Sequence, residues 1–587
     1  MTQNQREEEE EEEEKRRRKE REEEEESERH LVRWESNGPL PPIPDINFAS
    51  FLLSVLTQHG GKKALIDAAT GKHHTYSDIC AMVPRVCANL KAAGVEEGDR
   101  VMILSPNHID YPITTLAIQL LPATCVPVNP TLSPEEVAHI VGVSGVHWAV
   151  VEEGVVDLVE RVRLLLPNDC LKQVWVIGSS SSHPSLSQLM RGESGNASVL
   201  EKDSSRSPGN VAALMPFSSG TTGLPKGVLL PHRSLLTVVM QNKCLRDASK
   251  EAGSSRTSVL SRVLLVLPLY HIYANNTNII TLISGGRAVL MSKFSLPDLL
   301  GTIEKYKVTY VPLVPHIANY MINSPLLKQY DLSSLMAFAS GSAPITPTAA
   351  KALTEKTGRG LGIGYGLTET CATVSINSPM VGIKEGSVGR VLPYVEVKIV
   401  TPGSREALAR GKEGEVWVRG PGVMLGYAPT PTSPPSPWGL QEGGWLPTGD
   451  LGYCDKDGFL FITDRIKDVI KVKGFQVAPS EIEAVLQEVE GVEEAAVVGV
   501  PSPRLGEAPR AYVVLVPGVP APSHEALLDY VAARLARHKH LAGGLEFVES
   551  LPKNSIGKVL KRRLREDYLK GLKQGDREKG AGLTSKL

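Results

Sequence analysis

Cysteine is sparse and nowhere patterned. Cys80, Cys87, Cys125, Cys170, Cys244, Cys371 and Cys454 are scattered through 587 residues with no C-x-x-C pair and no histidine cluster at ligand spacing. That excludes a disulfide scaffold and a structural zinc site, and points to a reducing compartment. Long apolar runs are also missing. Stretches such as "VLLVL" at 263–267 fall well short of the roughly 18 residues a spanning helix needs, so no transmembrane segment is expected. Neither sign of charge dominates: 64 Lys and Arg against 66 Asp and Glu leave a net charge of -2, without the basic excess of a nucleic-acid binder. The first residues, with "KRRRKEREEEEESER" at 15–29, contain no apolar core of a secretory signal.

What is present is enough chain for two or more hydrophobic cores. Residues 1–35 read as a charged, solvated tail outside the fold. Beyond it, short Val/Ile/Leu runs alternate with helical stretches: "RVMILSP" at 100–106, "TCVPVNP" at 124–130, "HWAVVE" at 147–152 and "KQVWVIG" at 172–178. Such runs predict an α/β protein built on mostly parallel sheet. After Arg465–Lys473 comes a separate complement: a helix in "SEIEAVLQEVE", strands in "EEAAVVGV" and "RAYVVLV", and a helix starting at Ser523 that repeats Leu527, Leu528, Val531 and Leu535. The expected organisation is a large domain over 36–464, layered sheets with helices, then a small α+β domain over 465–570 and a flexible tail over 571–587.

The densest chemical signal is "PFSSGTTGLPKGV" at 216–228. A Walker A loop needs G-x-x-x-x-G-K-[ST], whereas Lys226 is followed by Gly227, so a P-loop NTPase is excluded. A phosphate cradle is not: Ser218, Ser219, Thr221 and Thr222 supply hydroxyls, Gly220 and Gly223 let backbone N–H groups approach an anion, and Lys226 adds a charge.

In chain order there follow "PLYHIYANN" at 268–276, "MSKF" at 291–294, "ASGSAPIT" at 339–346, "GIGYGLTET" at 362–370, "GEVWVRG" at 414–420, "GWLPTGDLGY" at 444–453, "ITDRIKDVIKVKGFQVAPSEIE" at 462–483 and "LPKNSIGKVLKRRLR" at 551–565. With them the chain resembles the adenylate-forming (AMP-binding) acyl-CoA synthetases, and within these the 4-coumarate:CoA ligases and their peroxisomal relatives, from about Pro44 to Arg565. The resemblance implies an ATP-dependent carboxylate:CoA ligase with ATP, Mg2+ and CoA as its small partners.

The resemblance also assigns roles. Residues Ser218 to Lys226 would hold the phosphates of ATP, Thr368 the α-phosphate, and Glu369 the magnesium. Gly364, Tyr365 and Gly366 would hold adenosine, with Asp450 and Arg465 on the ribose. Lys558 would bridge carboxylate and α-phosphate during adenylation, and His271 would orient the acid. A hinge at Lys467 would make the small domain mobile, swinging Lys471 and Gln476 toward AMP and Lys473 and Gly474 along the pantetheine path, with Lys293 on a CoA phosphate. The acyl pocket would take in His271, Tyr273, Thr277, Tyr320, Gly341, Gly366, Ala372 and Thr373.

Substrate is less determined. Thr277, Ala372 and Thr373 depart from the 4-coumarate ligase pattern, and wall changes of this size shift specificity by only about 1–3 kcal/mol per contact. A hydroxycinnamic acid and a fatty or oxylipin acid both stand as expectations. A luciferase-like adenylate-oxidising monooxygenase would share the same motifs, and a non-catalytic scaffold would be expected to lack Lys558 or Glu369. Ser585, Lys586 and Leu587 form the tripeptide that a peroxisomal import receptor reads at a free C-terminus, so the peroxisomal matrix is the expected location.

Overall fold

The computed structural model describes residues 30–34, 38–167, 170–180, 182–191, 209, 211–218, 225–251, 259–371, 373–430, 439–554 and 557–571. Two sheets make up the large part of the molecule. One has 14 strands. Its central run, Gly360–Tyr365, Ala337–Ser340, Tyr310–Leu313, Arg262–Leu265, Arg287–Leu290 and Lys63–Asp67, is parallel. Antiparallel strands complete it on both sides, among them Leu446–Cys454 and Phe459–Arg465. The second sheet pairs Arg100–Leu104, Thr124–Val128, Trp148–Glu152 and Gln173–Ile177 in parallel, which are the runs expected from sequence. Lys226–Pro231 lies antiparallel toward its other edge.

The reason is burial on both faces. Val101 to Leu104 and Ala149 to Val151 are at 0% exposure, and such strands read as continuous apolar runs. Helices cover them and start where their sequences cap: Thr75 with Asp78 and Ser133 with Glu136 form reciprocal capping boxes. Among the described residues no helix is long and apolar enough to cross a membrane.

A third sheet of five strands begins at Ile470, five residues after the last strand of the first sheet ends at Arg465. Its long hairpin, Val492–Ser502 with Gly506–Leu515, and the helices Pro479–Gln487 and His524–Arg534 enclose a separate core containing Ile482, Val497, Val513 and Leu527. Ser523 caps the second helix by accepting from Ala526 N.

The amino-terminal expectation needs one correction. The charged tail does not remain outside the fold through residue 35, because Val32 and Arg33 pair with Val397 and Glu396. Two apolar side chains, Leu31 and Val32, are buried there, and Arg33 Nε lies 2.6 Å from Glu396 Oε1. Residues 1–29 and 572–587, and the polar segments 192–208, 252–258 and 431–438, lie outside the described residues.

One glycine sets how closely the strands around the cleft approach. Gly389 has φ 93°, and a Cβ there would collide with the Ile376 carbonyl. Gly389→Ala is expected to lower stability by at least about 2 kcal/mol through strain and displaced pairing. Denaturant unfolding checks this; a loss below about 0.5 kcal/mol would contradict it.

Candidate functional site

A cleft of about 2120 Å³ opens between the large part of the molecule and the segment Lys553–Lys570. Its floor is the carboxyl end of the parallel strands, where open α/β sheets characteristically place their ligands. The strand Ala337–Ser340 delivers Gly341, and the strand Gly360–Tyr365 delivers Gly366 and the turn Thr368–Thr370. His271 follows Arg262–Leu265 and stands at the start of helix Ile272–Ile283. A buried amide fixes that approach. Asn107 Nδ2 lies within 3.2 Å of the carbonyls of Leu265, Leu267 and Met291, and its Oδ1 accepts from Leu269 N.

The glycine-rich loop is anchored at both ends. Ser218 pairs with Lys226 and Phe217 with Gly227, and Ser218 and Lys226 both line the cleft. Ser219, Gly220, Thr221, Thr222 and Gly223 lie outside the described residues, as does Ala372. Ser218 Oγ is buried with no partner among the described residues, a donor available to an anion.

Opposite the loop, Glu369 is 9% exposed, and its Oε1 accepts from Tyr427 Oη at 2.9 Å. The Tyr427 ring lies 5.1 Å from Lys226 Nζ, so one tyrosine touches both the loop lysine and the carboxylate. No spacing in the sequence ties Tyr427 to either residue; the pairing of Val228 with Tyr427 does so in space.

Asp450, 3% exposed, forms the second anchor. Its Oδ2 accepts from Tyr365 Oη at 2.8 Å, and its Oδ1 lies 2.8 Å from Arg465 Nε. Asp450 and Arg465 face each other across paired strands, so the pair is built into the sheet at the point where the chain leaves it. Two residues on, Lys467 also lines the cleft.

Lys558 reaches the cleft from the far side. Asn554 shapes its turn: Asn554 N donates to Lys558 O at 2.9 Å, and Lys558 N donates to Asn554 Oδ1 at 2.8 Å. Burial first, then the Arg465 charge, lower the ammonium to about 8, against the opposing pull of Asp450 and Asp468. Lys467 is lowered by burial, then by Lys226 and Arg465. Four cations, Lys226, Arg465, Lys467 and Lys558, thus converge on one space, an arrangement that favours a polyanion. His271 is brought down to about 4 by burial and is neutral at physiological pH, a hydrogen-bonding group and not a charge.

The same cleft continues past Tyr273, Thr277, Gly341 and Thr373 into an apolar branch lined by Leu245, Leu260 and Met336. Tyr320 is not part of it. The residue is 54% exposed and its ring faces Phe294 at 6.3 Å. In helix Pro315–Asn323 the inward positions are Ile317, Ala318 and Met321, and the helical turn of about 100° per residue aims Tyr320 outward. Lys293, Lys471, Gln476, Lys473 and Gly474 are likewise exposed and outside the cleft. Lys473 and Gly474 form the two-residue turn of a hairpin, with φ of 48° and 85°.

No sequence pattern points to one further contact. The ring of His316 occupies the space a Cβ at Gly557 would need, and its Nδ1 is buried with no partner among the described residues. Beside it Lys553 Nζ lies 2.5 Å from Glu494 Oε1. His316 is therefore the seat on which the turn carrying Lys558 rests.

Comparison with known proteins agrees with this geometry. The profile of the AMP-binding enzyme family matches residues 54–428, and that of the AMP-binding enzyme C-terminal domain matches 481–558. A probable CoA ligase of Humulus lupulus is 34% identical over 89% of this chain and 93% of its own. A 4-coumarate–CoA ligase of Oryza sativa subsp. japonica is 34% identical over 90% and 95%. Among solved structures, ATP-bound MatB from Rhodopseudomonas palustris superposes with TM-score 0.76 at 28% identity, covering 88% of this chain and 99% of that one. An anthranilate CoA ligase in complex with anthranoyl-AMP gives TM-score 0.79 at 25% identity, covering 90% and 98%.

Gly557→Ala is expected to lower the population with Lys558 in the cleft by roughly tenfold, about 1.4 kcal/mol, through the His316 ring and through the left-handed backbone at φ 77°, and His316→Ala added to it is expected to restore the part due to the ring. Energy transfer between probes on the two sides of the cleft measures both; a double variant no better than Gly557→Ala would refute the seat.

Proposed function

The chain belongs to the AMP-binding enzyme family, and on that premise we infer that it is an ATP-dependent acid–CoA ligase, joining a carboxylic acid to coenzyme A through an acyl-adenylate. The observation that carries this reading is the convergence of Lys226, Arg465, Lys467 and Lys558 with Glu369 on one cleft that continues into an apolar branch. The CoA ligases among its relatives favour thiol transfer over oxidation of the adenylate.

A carboxylate is a poor acyl donor because its leaving group is oxide. In the first half-reaction a carboxylate oxygen attacks the α-phosphorus of ATP, the bond to the bridging oxygen breaks, and pyrophosphate leaves. The cations neutralise the charge gathered there in an enclosed site where such interactions are strong. In this reading Lys558 would meet both carboxylate and α-phosphate, and the Asp450–Arg465 pair would hold the ribose side. In the second half-reaction the CoA sulfur attacks the acyl carbonyl, its proton is lost, and AMP leaves.

The residues present fit a magnesium ion. Glu369 offers one carboxylate beside the phosphate loop, and magnesium commonly uses one or two carboxylates with phosphate oxygens and water. Held there, it would neutralise phosphate charge. Among the described residues no cluster of three His, Cys, Asp or Glu forms a protein-only metal cage, which suits an ion brought in with nucleotide.

The apolar branch supports a hydroxycinnamic or a fatty or oxylipin acid as substrate. Ser585–Leu587, outside the described residues, support import into the peroxisome, where such acids are degraded as CoA thioesters. Removing these three residues is expected to leave ligase activity unchanged and the protein in the cytosol; peroxisomal retention of the truncated chain would overturn the assignment.

Lys558→Ala is expected to slow pyrophosphate release by about a hundredfold to a thousandfold, while thioester formation from supplied acyl-adenylate stays within about twofold. Because the free enzyme's ammonium, about 8 instead of the ordinary 10.5, must be charged to act, wild-type kcat/KM for adenylation falls as pH rises through about 8. The thioester step shows no such decline. Equal loss of both half-reactions in Lys558→Ala would refute the role.

A further inference from the structure

The branch beyond Tyr273 is not uniformly apolar. Four polar side chains on its wall, Asn242, Ser249, Ser340 and Ser378, are 2%, 4%, 1% and 7% exposed and all line the cavity. Each has buried polar atoms with no partner among the described residues, and Asn242 lacks one at both Nδ2 and Oδ1. An unsatisfied buried group costs about 1–3 kcal/mol, and four along one cavity ask for a ligand or water that satisfies them. Ordinary pocket walls show the contrast: Gln241, next in sequence, already donates to the carbonyl of Pro393 at 3.1 Å.

The placement gives a length. Helix His232–Glu251 runs from the nucleotide end, where Thr237 lies against Gly422, toward the amino end of the parallel strands, where the cavity reaches Tyr310, Ala337 and Gly360. Ser249 stands seven residues beyond Asn242, about 10 Å further along the axis. On the opposite wall, strand Gly360–Tyr365 shows glycine at every second position, and a Cβ added at Gly360, Gly362 or Gly364 would meet nothing closer than 3.7 Å. The four steps from Gly364 to Gly360 span about 13 Å. At the advance of about 1.2 Å per bond of an extended chain, that holds an acid of roughly ten chain atoms or more.

We propose that Asn242 and Ser249 form a polar subsite in the acyl branch, and that the substrate is an elongated carboxylic acid bearing a hydrogen-bonding oxygen, hydroxyl or oxo, remote from its carboxyl group. The proposal rests on the acid–CoA ligase reading and makes the acyl pocket selective for oxygenation along the chain. A site built to bond a substrate oxygen discriminates strongly against the analogue that lacks it, because its own buried groups then go unpaired.

The test compares pyrophosphate release and CoA-thioester formation with dodecanoic acid, dodecanoic acids hydroxylated at mid-chain or at the chain end, and 4-hydroxycinnamic acid. Wild-type enzyme is expected to favour a hydroxylated acid over dodecanoic acid in kcat/KM by at least about tenfold. Asn242→Leu, close in volume, is expected to erase or invert that ratio while turnover of dodecanoic acid rises. Ser249→Ala, a one-atom deletion, provides an independent reading with the chain-end hydroxy acid. A wild-type preference for dodecanoic acid, or a ratio unmoved by both variants, overturns the subsite. Turnover confined to 4-hydroxycinnamic acid overturns it too, leaving the ligase reading intact. No turnover with any acid sinks the ligase reading and the subsite together.

Discussion

The structure turns on a lysine placed next to an arginine. Lys558 enters a space already facing Arg465, with Lys226 and Lys467 near by, and burial makes the charges of Lys558 and Lys467 harder to keep. Asp450 and Asp468 offset part of the repulsion, yet Asp450 is already engaged by Arg465 and Tyr365. Anions brought by substrate supply the remaining compensation. A ligand that binds one arrangement better than another shifts the equilibrium toward it, so a triphosphate and a carboxylate would hold the cleft closed, and loss of the β- and γ-phosphates as pyrophosphate, with the acid and α-phosphate retained as the acyl-adenylate, would loosen it.

That constraint explains why the Asp450–Arg465 pair sits where it does. Arg465 is the last residue of the first sheet's strand Phe459–Arg465, and the third sheet starts at Ile470. A buried, hydrogen-bonded pair at the seam fixes the point from which the remaining chain departs, while Ile466 to Val469 belong to neither sheet. A rigid post beside a short connector is the arrangement a hinge requires. The Lys558 turn is held at the other end by fit against His316 and not by a network of charges, so it can lift without stranding an ion pair: Lys553 stays with Glu494 and Lys561 with Glu483.

The four expected strands of the second sheet were legible because both of their faces are buried, so apolar runs and turns suffice to mark them. The residues that the structure gathers at the nucleotide end were legible because phosphate chemistry demands small, hydroxylated and basic residues in a fixed order. Contacts created only by folding were not. Tyr427 joins Lys226 to Glu369 through strand pairing, His316 meets Gly557 across a long stretch of chain, and no local pattern encodes either. Tyr320 shows the limit in the other direction: no residue of helix Pro315–Asn323 lines the cleft, and the helical phase sends this side chain to solvent. Leu31 and Val32 are two apolar residues at the end of a charged block, and nothing marks them as a strand until the edge at Glu396 and Val397 receives them.

The division of the cleft also separates its two tasks. The acyl branch is built by helix His232–Glu251, the strands Ala337–Ser340 and Gly360–Tyr365 and the segment around Ser378, all before Arg465. The later residues contribute Lys553, Asn554 and residues from Lys558 to Lys570, with Val497 to Gly499, and among them Lys558 faces Arg465. If the later segment rotates about the connector after Arg465, it would remodel the mouth, where charge must change between the two half-reactions, and would leave the wall that faces the acid untouched. Selectivity for the acid is then set once, before adenylation, and carried unchanged to the thiol. This favours a stringent acyl wall, since each buried polar group left unpaired by a wrong acid penalises both steps alike.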